Sequence, residues 1–177
     1  SEFYFDIGQK IVNDEPIGDF REHINVSTEK KQDSGYVVRD AKILVVDDNA
    51  INRKVFTNLL KRTQINVVEA GDGEECINIL EKQSFDIIFL DYMMPNMDGV
   101  ETLHAIKNAG ICLNTPVVML TANALKGAKE EFLKEGFTDY LTKPIIPEKL
   151  DNMIKKYLPK DKVVERNTQY SDVQISV

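Results

Sequence analysis

The sequence predicts an α/β fold: a doubly wound parallel sheet of five strands with helices on both faces. Three observations predict it. Short apolar runs and amphipathic stretches alternate five times between residues 41 and 158. KILVV, DIIFL and PVVML are nearly unbroken apolar runs, which suits strands buried on both faces, as in parallel sheets. Parallel neighbours need right-handed crossovers, and these place helices on both faces of one open sheet.

The first strand is KILVV, residues 42–46. The helix within NAINRKVFTNLLKRT carries Ile51, Val55 and Leu59 at helical spacing, flanked by Phe56 and Leu60. INVVEA is the second strand, and DGEECINILEKQ is a helix with Cys76, Ile77 and Leu80 inward. DIIFL is the third strand, followed by the helix GVETLHAIKNA. PVVML, opened by Pro116, is the fourth, and the helix ALKGAKEEFLKEG ends at Gly136. DYLT is a short fifth strand, and PEKLDNMIKKYL is a helix with Pro147 at its N-terminus.

Composition divides the chain into three zones. Residues 1–40 open with Phe3, Phe5 and Ile7 alternating against Tyr4 and Asp6, one short strand, and continue as a polar, charged linker. Residues 41–158 form the domain, and residues 159–177 a polar tail or linker. The start at Ser1, without a Met, suggests a piece of something longer. Apolar residues make up 42%, enough for a core, and the net charge is -7. That acidity argues against nucleic acid or an anionic membrane surface as main partner. No apolar run approaches the ~18 residues of a membrane span, and no signal peptide opens the chain. Cys76 and Cys112 lie among apolar residues and read as buried free thiols of a reducing compartment.

The polar residues gather where the strands end. The first strand ends in Asp47-Asp48-Asn49, the third in Asp91, the fourth in Thr121-Ala122, and the fifth in Thr142-Lys143-Pro144. In an open parallel sheet these ends share one edge, and ligands bind there. Three carboxylates, a hydroxyl and an ammonium therefore converge. Two carboxylates about 4 Å apart repel by ~4 kcal/mol at an effective dielectric of 20. Three together call for a cation or for shifted pKa values. All-oxygen ligands favour a hard ion such as Mg²⁺, which keeps waters and so leaves places for phosphate oxygens. Asp91 is then a carboxylate nucleophile able to form an acyl phosphate, with Thr121 and Lys143 on the other phosphate oxygens.

The set VVDDN, FLDYMMPNMDG, VVMLTA and DYLTKP resembles a two-component response-regulator receiver domain, over residues 42 to about 158. Each motif is weak alone; four in this order are highly specific. The resemblance implies a flavodoxin-like sheet of strand order 2-1-3-4-5. It implies that Asp91 is the phosphoacceptor, and that Asp48, Asp91 and the Met93 carbonyl bind Mg²⁺, with Asp47 supporting through water. It gives Thr121 and Lys143 to the phosphoryl group, makes Lys143–Pro144 a cis peptide, and makes Tyr140 the aromatic that turns inward when the hydroxyl residue moves. The run DDNAINRKV resembles receivers fused to histidine kinases, and SEFYFDI resembles the last strand of a kinase ATP-binding domain. The implied parent is a hybrid sensor kinase, which can itself be membrane-anchored. The implied fragment is cytoplasmic, touches neither membrane nor nucleic acid, and exchanges phosphate with a histidine kinase dimerisation domain or a histidine phosphotransfer domain. It is a self-phosphorylating, self-dephosphorylating switch rather than a turnover enzyme.

Blander readings compete. Asp47 or Asp48 can serve as a helix N-cap, Thr121 as a cap, and Lys143 as a solvated charge; their joint placement at strand ends argues against this. His23 and His104 sit in no kinase-type motif and read as structural or solvated, and the Met93, Met94 and Met97 cluster reads as part of a loop rather than a soft-metal site. A haloacid dehalogenase-type phosphohydrolase places a D-x-D pair at the first strand, whereas this pair is adjacent. A flavin binder needs a phosphate-cradling loop where DDNA stands. A scaffolding receiver usually lacks the Asp or the Lys, and both are present here.

Overall fold

A computed structural model of the chain describes residues 35–122 and 128–166. The strand expected at residues 3–7, His23, most of the linker, residues 123–127 and the end of the tail lie outside the described residues. In chain order the elements are β1 (Tyr36–Val38), β2 (Lys42–Val46), α1 (Ala50–Leu60), β3 (Asn66–Ala70), α2 (Gly73–Leu80), β4 (Ile87–Asp91), α3 (Gly99–Asn108), β5 (Val117–Thr121), α4 (Ala128–Glu135), β6 (Asp139–Thr142), α5 (Pro147–Tyr157) and β7 (Val163–Glu165).

Five strands form one parallel sheet in the order β3-β2-β4-β5-β6. This is the expected 2-1-3-4-5 order, shifted by one because β1 precedes the sheet. The period-two alternation of strand side chains divides the core between the two faces. Ile43, Val45, Phe89 and Leu120 pack with Phe56 and Leu60 of α1 and with Leu150 and Ile154 of α5. Leu44, Val46, Leu90 and Met119 pack on the other face with Cys76 and Leu80 of α2 and with Leu103 and Ile106 of α3. Each such fully buried side chain contributes about 1.5–3 kcal/mol. The Phe56 and Phe89 rings, 4.8 Å between centroids, anchor α1 to the sheet centre. Cys76 is buried as expected, whereas Cys112 is only half-buried; both thiols are free.

Short polar residues start the helices at the edge where the strands end. Asn49 caps α1 by accepting from the Ile51 N–H at 2.9 Å. Asp72 caps α2. Asp98 and Glu101 form a reciprocal capping box on α3. Gly99 has a steric reason: a Cβ there would lie 2.3 Å from the Asp91 carbonyl oxygen. The first turn of α3 thus rests directly on the backbone of Asp91.

Two short strands outside residues 41–158 were not foreseen as structured. β1 and β7, which come from the segments predicted as linker and tail, pair antiparallel with Val37 opposite Val164. Tyr36 is fully buried in the α1–α5 core, and its hydroxyl donates to Asp151 Oδ1 at 2.9 Å. Arg62 pairs with the other oxygen of Asp151, and the Lys155 ammonium lies 4.6 Å from the centre of the Tyr36 ring. Asp86, just before β4, accepts from Lys162 Nζ at 2.6 Å and from the Lys42 N–H at 2.9 Å. The ribbon is therefore fastened at the N-terminal edge of the sheet.

Candidate functional site

The polar residues that close β2, β4, β5 and β6 lie at the opposite, C-terminal edge. Asp91 is the last residue of β4, and Thr121 the last of β5; both are buried. Asp47 follows β2, with its N–H donating to the Ala70 carbonyl at 3.2 Å, and is only 1% exposed. Asp48, next in the loop, is exposed. One carboxylate oxygen from each of Asp47, Asp48 and Asp91 lies within 4.8 Å of the others.

Lys143 bridges this cluster. Its backbone N–H donates to the Thr121 carbonyl at 2.8 Å, continuing the β5–β6 pairing, and the following Lys143–Pro144 peptide is cis. Its ammonium reaches Asp47 Oδ2 at 2.6 Å and Asp91 Oδ1 at 2.8 Å. The second oxygen of Asp47 accepts from the Asn49 N–H at 2.9 Å and from Asn52 Nδ2 at 3.2 Å. Asp47 is thus held on both oxygens.

Burial, above all, pushes the Asp91 carboxyl above its ordinary value; Lys143 pulls it down by hydrogen bond and charge, and Asp47 and Asp48 push it up again. Burial by itself would lower the Lys143 ammonium, but its bonds to Asp47 and Asp91 outweigh that and hold it above its usual range. One ammonium against three carboxylates leaves an excess of negative charge. The donors are hard oxygens, with two carboxylates buried and one open to solvent. That set suits a small hard dication that keeps part of its water shell.

An aromatic path leads away from the cluster. Tyr92 follows Asp91; its ring centre lies 5.9 Å from that of Phe132 on α4, which lies 6.2 Å from that of Tyr140 on β6. Tyr140 is half-buried, and Met93 is 72% exposed on the loop after Asp91. His104 lies on α3, with Nε2 3.0 Å from a Glu135 carboxylate oxygen.

The structure brings together Asp47, Asp48, Asp91 and Lys143 and sets Thr121 at the same edge. Sequence reasoning missed Asn52 and Arg53, although both lie in the DDNAINRKV run. Asn52 binds the Asp47 carboxylate, and Arg53 binds the loop carbonyls. The available signal was position: both residues sit in the first turn of the helix that follows the acidic pair.

The response regulator receiver domain family matches residues 43–155. The chain is 36% identical over 117 residues to the signal transduction histidine-protein kinase BarA of Escherichia coli, a match covering 66% of this chain and 13% of that kinase. Among solved structures, the receiver domain of the sensor histidine kinase PA1611 from Pseudomonas aeruginosa, with magnesium coordinated in its active-site cleft, is 31% identical. It superposes with a TM-score of 0.61 over 67% of this chain and 98% of that one. The receiver domain of Ssk1 from Saccharomyces cerevisiae, crystallised with the histidine phosphotransfer protein Ypd1, is 27% identical, with a TM-score of 0.63 over 71% and 94% of the two chains. The match to the family runs from the second residue of β2 into α5 and takes in every strand of the parallel sheet; this chain belongs to the response regulator receiver domain family.

Proposed function

We propose that this domain accepts a phosphoryl group from a phosphohistidine onto Asp91, serving as the receiver of a hybrid histidine kinase. The observation that carries the reading is the bridged cluster of Asp47, Asp48, Asp91 and Lys143 at the strand ends. A carboxylate oxygen of Asp91 attacks phosphorus, the phosphorus–nitrogen bond breaks, and the electron pair stays on the departing imidazole. The transition state spreads negative charge over the phosphoryl oxygens, so positioning and electrostatics dominate the catalysis. Lys143, already on Asp91, supplies one fixed positive charge, and the Thr121 hydroxyl a donor. Asp48, Asp91 and the Met93 carbonyl are the residues that would hold Mg²⁺, with Asp47 behind them through water. When bound, the ion supplies charge against the phosphoryl oxygens and relieves the carboxylate repulsion.

The switch is the second part of the proposal. Thr121 moves toward the phosphoryl group, and Tyr140 turns into the space this leaves. A ligand-driven change needs a contact that differs between two states, and the Thr121–phosphoryl bond is that contact. The surface of α4, β6 and α5 carries the result.

Around the site, Ile51, Val55, Met93 and Ile146 are exposed apolar residues. Beside them lies a cavity of about 210 Å³ lined by Asp47, Asn52, Val55, Phe56 and Lys143, among others. This rim supports docking of a phosphohistidine-bearing partner, the kinase's own dimerisation domain or a phosphotransfer domain. Its place beside Asp91 suits direct transfer.

The reading is tested with acetyl phosphate. In Mg²⁺ the protein should gain one phosphoryl group by intact mass, and in chelator none. Labelling that is equally fast in chelator, or that lodges on a histidine, would refute it.

A further inference from the structure

The loop Asp47-Asp48-Asn49 carries two adjacent like charges facing a third, and something must hold its shape. The Asp47 side chain is fastened on both oxygens. Asp48 is exposed, so its backbone sets the point from which its carboxylate reaches the cluster. Two consecutive carbonyls of that backbone converge on one nitrogen: Arg53 Nη1 donates to the Asp47 carbonyl at 2.6 Å and to the Asp48 carbonyl at 3.2 Å. The guanidinium is itself fixed from behind, with Nε 3.3 Å from Glu69 Oε2. The other oxygen of Glu69 accepts from the Thr57 hydroxyl at 2.8 Å. Arg53 and Thr57 are one helical turn apart on the same side of α1. Glu69 is the β3 residue next to Ala70, whose carbonyl holds the Asp47 N–H.

We infer that Arg53 is a positioning residue: through the carbonyls of Asp47 and Asp48 it sets the loop so that Asp48 meets a divalent cation. The inference rests on the acceptor-site reading given above. A planar fork suits this task, since it spans two carbonyls and a carboxylate in fixed directions; a lysine ammonium is a point charge on a flexible stem. The fork binds carbonyls and Glu69, and leaves the carboxylates of the cluster to the cation. An exposed Arg53–Glu69 ion pair with no further role would contribute little and would not alter metal binding.

The sign of the effect separates positioning from charge. Removing a cation beside three carboxylates, by electrostatics alone, tightens Mg²⁺ binding. Loss of loop geometry weakens it. Calorimetric titration with Mg²⁺ should show Arg53→Ala and Arg53→Lys each weakening affinity roughly tenfold, the size usual for lost outer-shell partners of a metal ligand. Glu69→Gln should weaken it in the same direction by less. With acetyl phosphate, the half-saturating Mg²⁺ concentration should rise by the same factor, while the rate at saturating Mg²⁺ falls far less. Thermal midpoints in chelator check folding, and should Arg53→Ala fail to fold, Arg53→Lys and Glu69→Gln carry the test. Tighter binding by Arg53→Ala, or parental affinity in Arg53→Lys, overturns the inference and leaves the acceptor reading standing. A parent chain that binds no Mg²⁺ overturns both.

Discussion

At the scale of single residues, the site holds a group under strain of charge. Asp91 is buried, and burial, opposed by Lys143 and aided by Asp47 and Asp48, raises its carboxyl above the ordinary 3.8. A carboxylic acid with a raised folded-state value holds its proton more tightly folded than unfolded, so its ionisation costs stability. The cost is absent below the unfolded value and fully present once pH exceeds the folded one. Asp91→Asn removes the charge while Lys143 keeps Asp47. Without divalent ions at neutral pH, this variant should melt roughly 2–5 °C above the parent, and the gain should shrink as pH falls toward 4. Differential scanning calorimetry across pH decides; a lower midpoint at neutral pH would contradict the electrostatic account. The residues of this cluster were legible in the sequence because each ends an apolar run, where a carboxylate has no core reason to be. Arg53 was legible only as a neighbour of the acidic pair in the first turn of α1; its bonds go to backbone carbonyls that no motif displays.

At the scale of elements, periodicity gave the helices and strands but not always their faces. α1 carries two adjacent apolar stripes, Ile51–Val55 and Phe56–Leu60, and spacing alone does not choose between them. The sheet buries Phe56 and Leu60 and leaves Ile51 72% and Val55 47% exposed. The β1–β7 ribbon escaped the sequence reading for another reason. Three-residue strands, YVV and VVE, are too short for a period to show, and charged residues flank both. Their stability comes from tertiary contacts: Tyr36 in the core, Asp151 on its hydroxyl, and Asp86 on Lys162. Tyr36→Phe should cost about 0.5–1.5 kcal/mol for the lost hydrogen bond, and Tyr36→Ala about 3–5 kcal/mol for the lost ring. Urea unfolding measures both. If Tyr36→Ala unfolded like the parent, the ribbon would not be part of the domain's cooperative unit.

At the scale of the whole domain, one topological fact organises the function. All five strands of the main sheet run the same way, so residues far apart in sequence, 47, 91, 121 and 143, meet at one edge. The ribbon is fastened at the other edge, so β1 and β7 leave the edge that carries Asp91 uncovered. The doubly wound parallel sheet was legible because strands alternating with helices admit few arrangements; its strand order, β3-β2-β4-β5-β6, was legible only through the resemblance to receiver domains. Among the described residues no helix is long and apolar enough to cross a membrane, and the chain spans 13% of the length of the kinase BarA. Its place in a longer kinase is therefore part of the proposal. The central claim is that Asp91 carries the phosphoryl group. The most direct measurement is to phosphorylate the protein from a phosphohistidine-bearing phosphotransfer domain in Mg²⁺, reduce the acyl phosphate with borohydride, and map the product by peptide mass spectrometry. The account predicts homoserine at position 91, and no trapped product from Asp91→Asn. Trapped product at Asp47 or Asp48 in the parent, or transfer undiminished in Asp91→Asn, would contradict it.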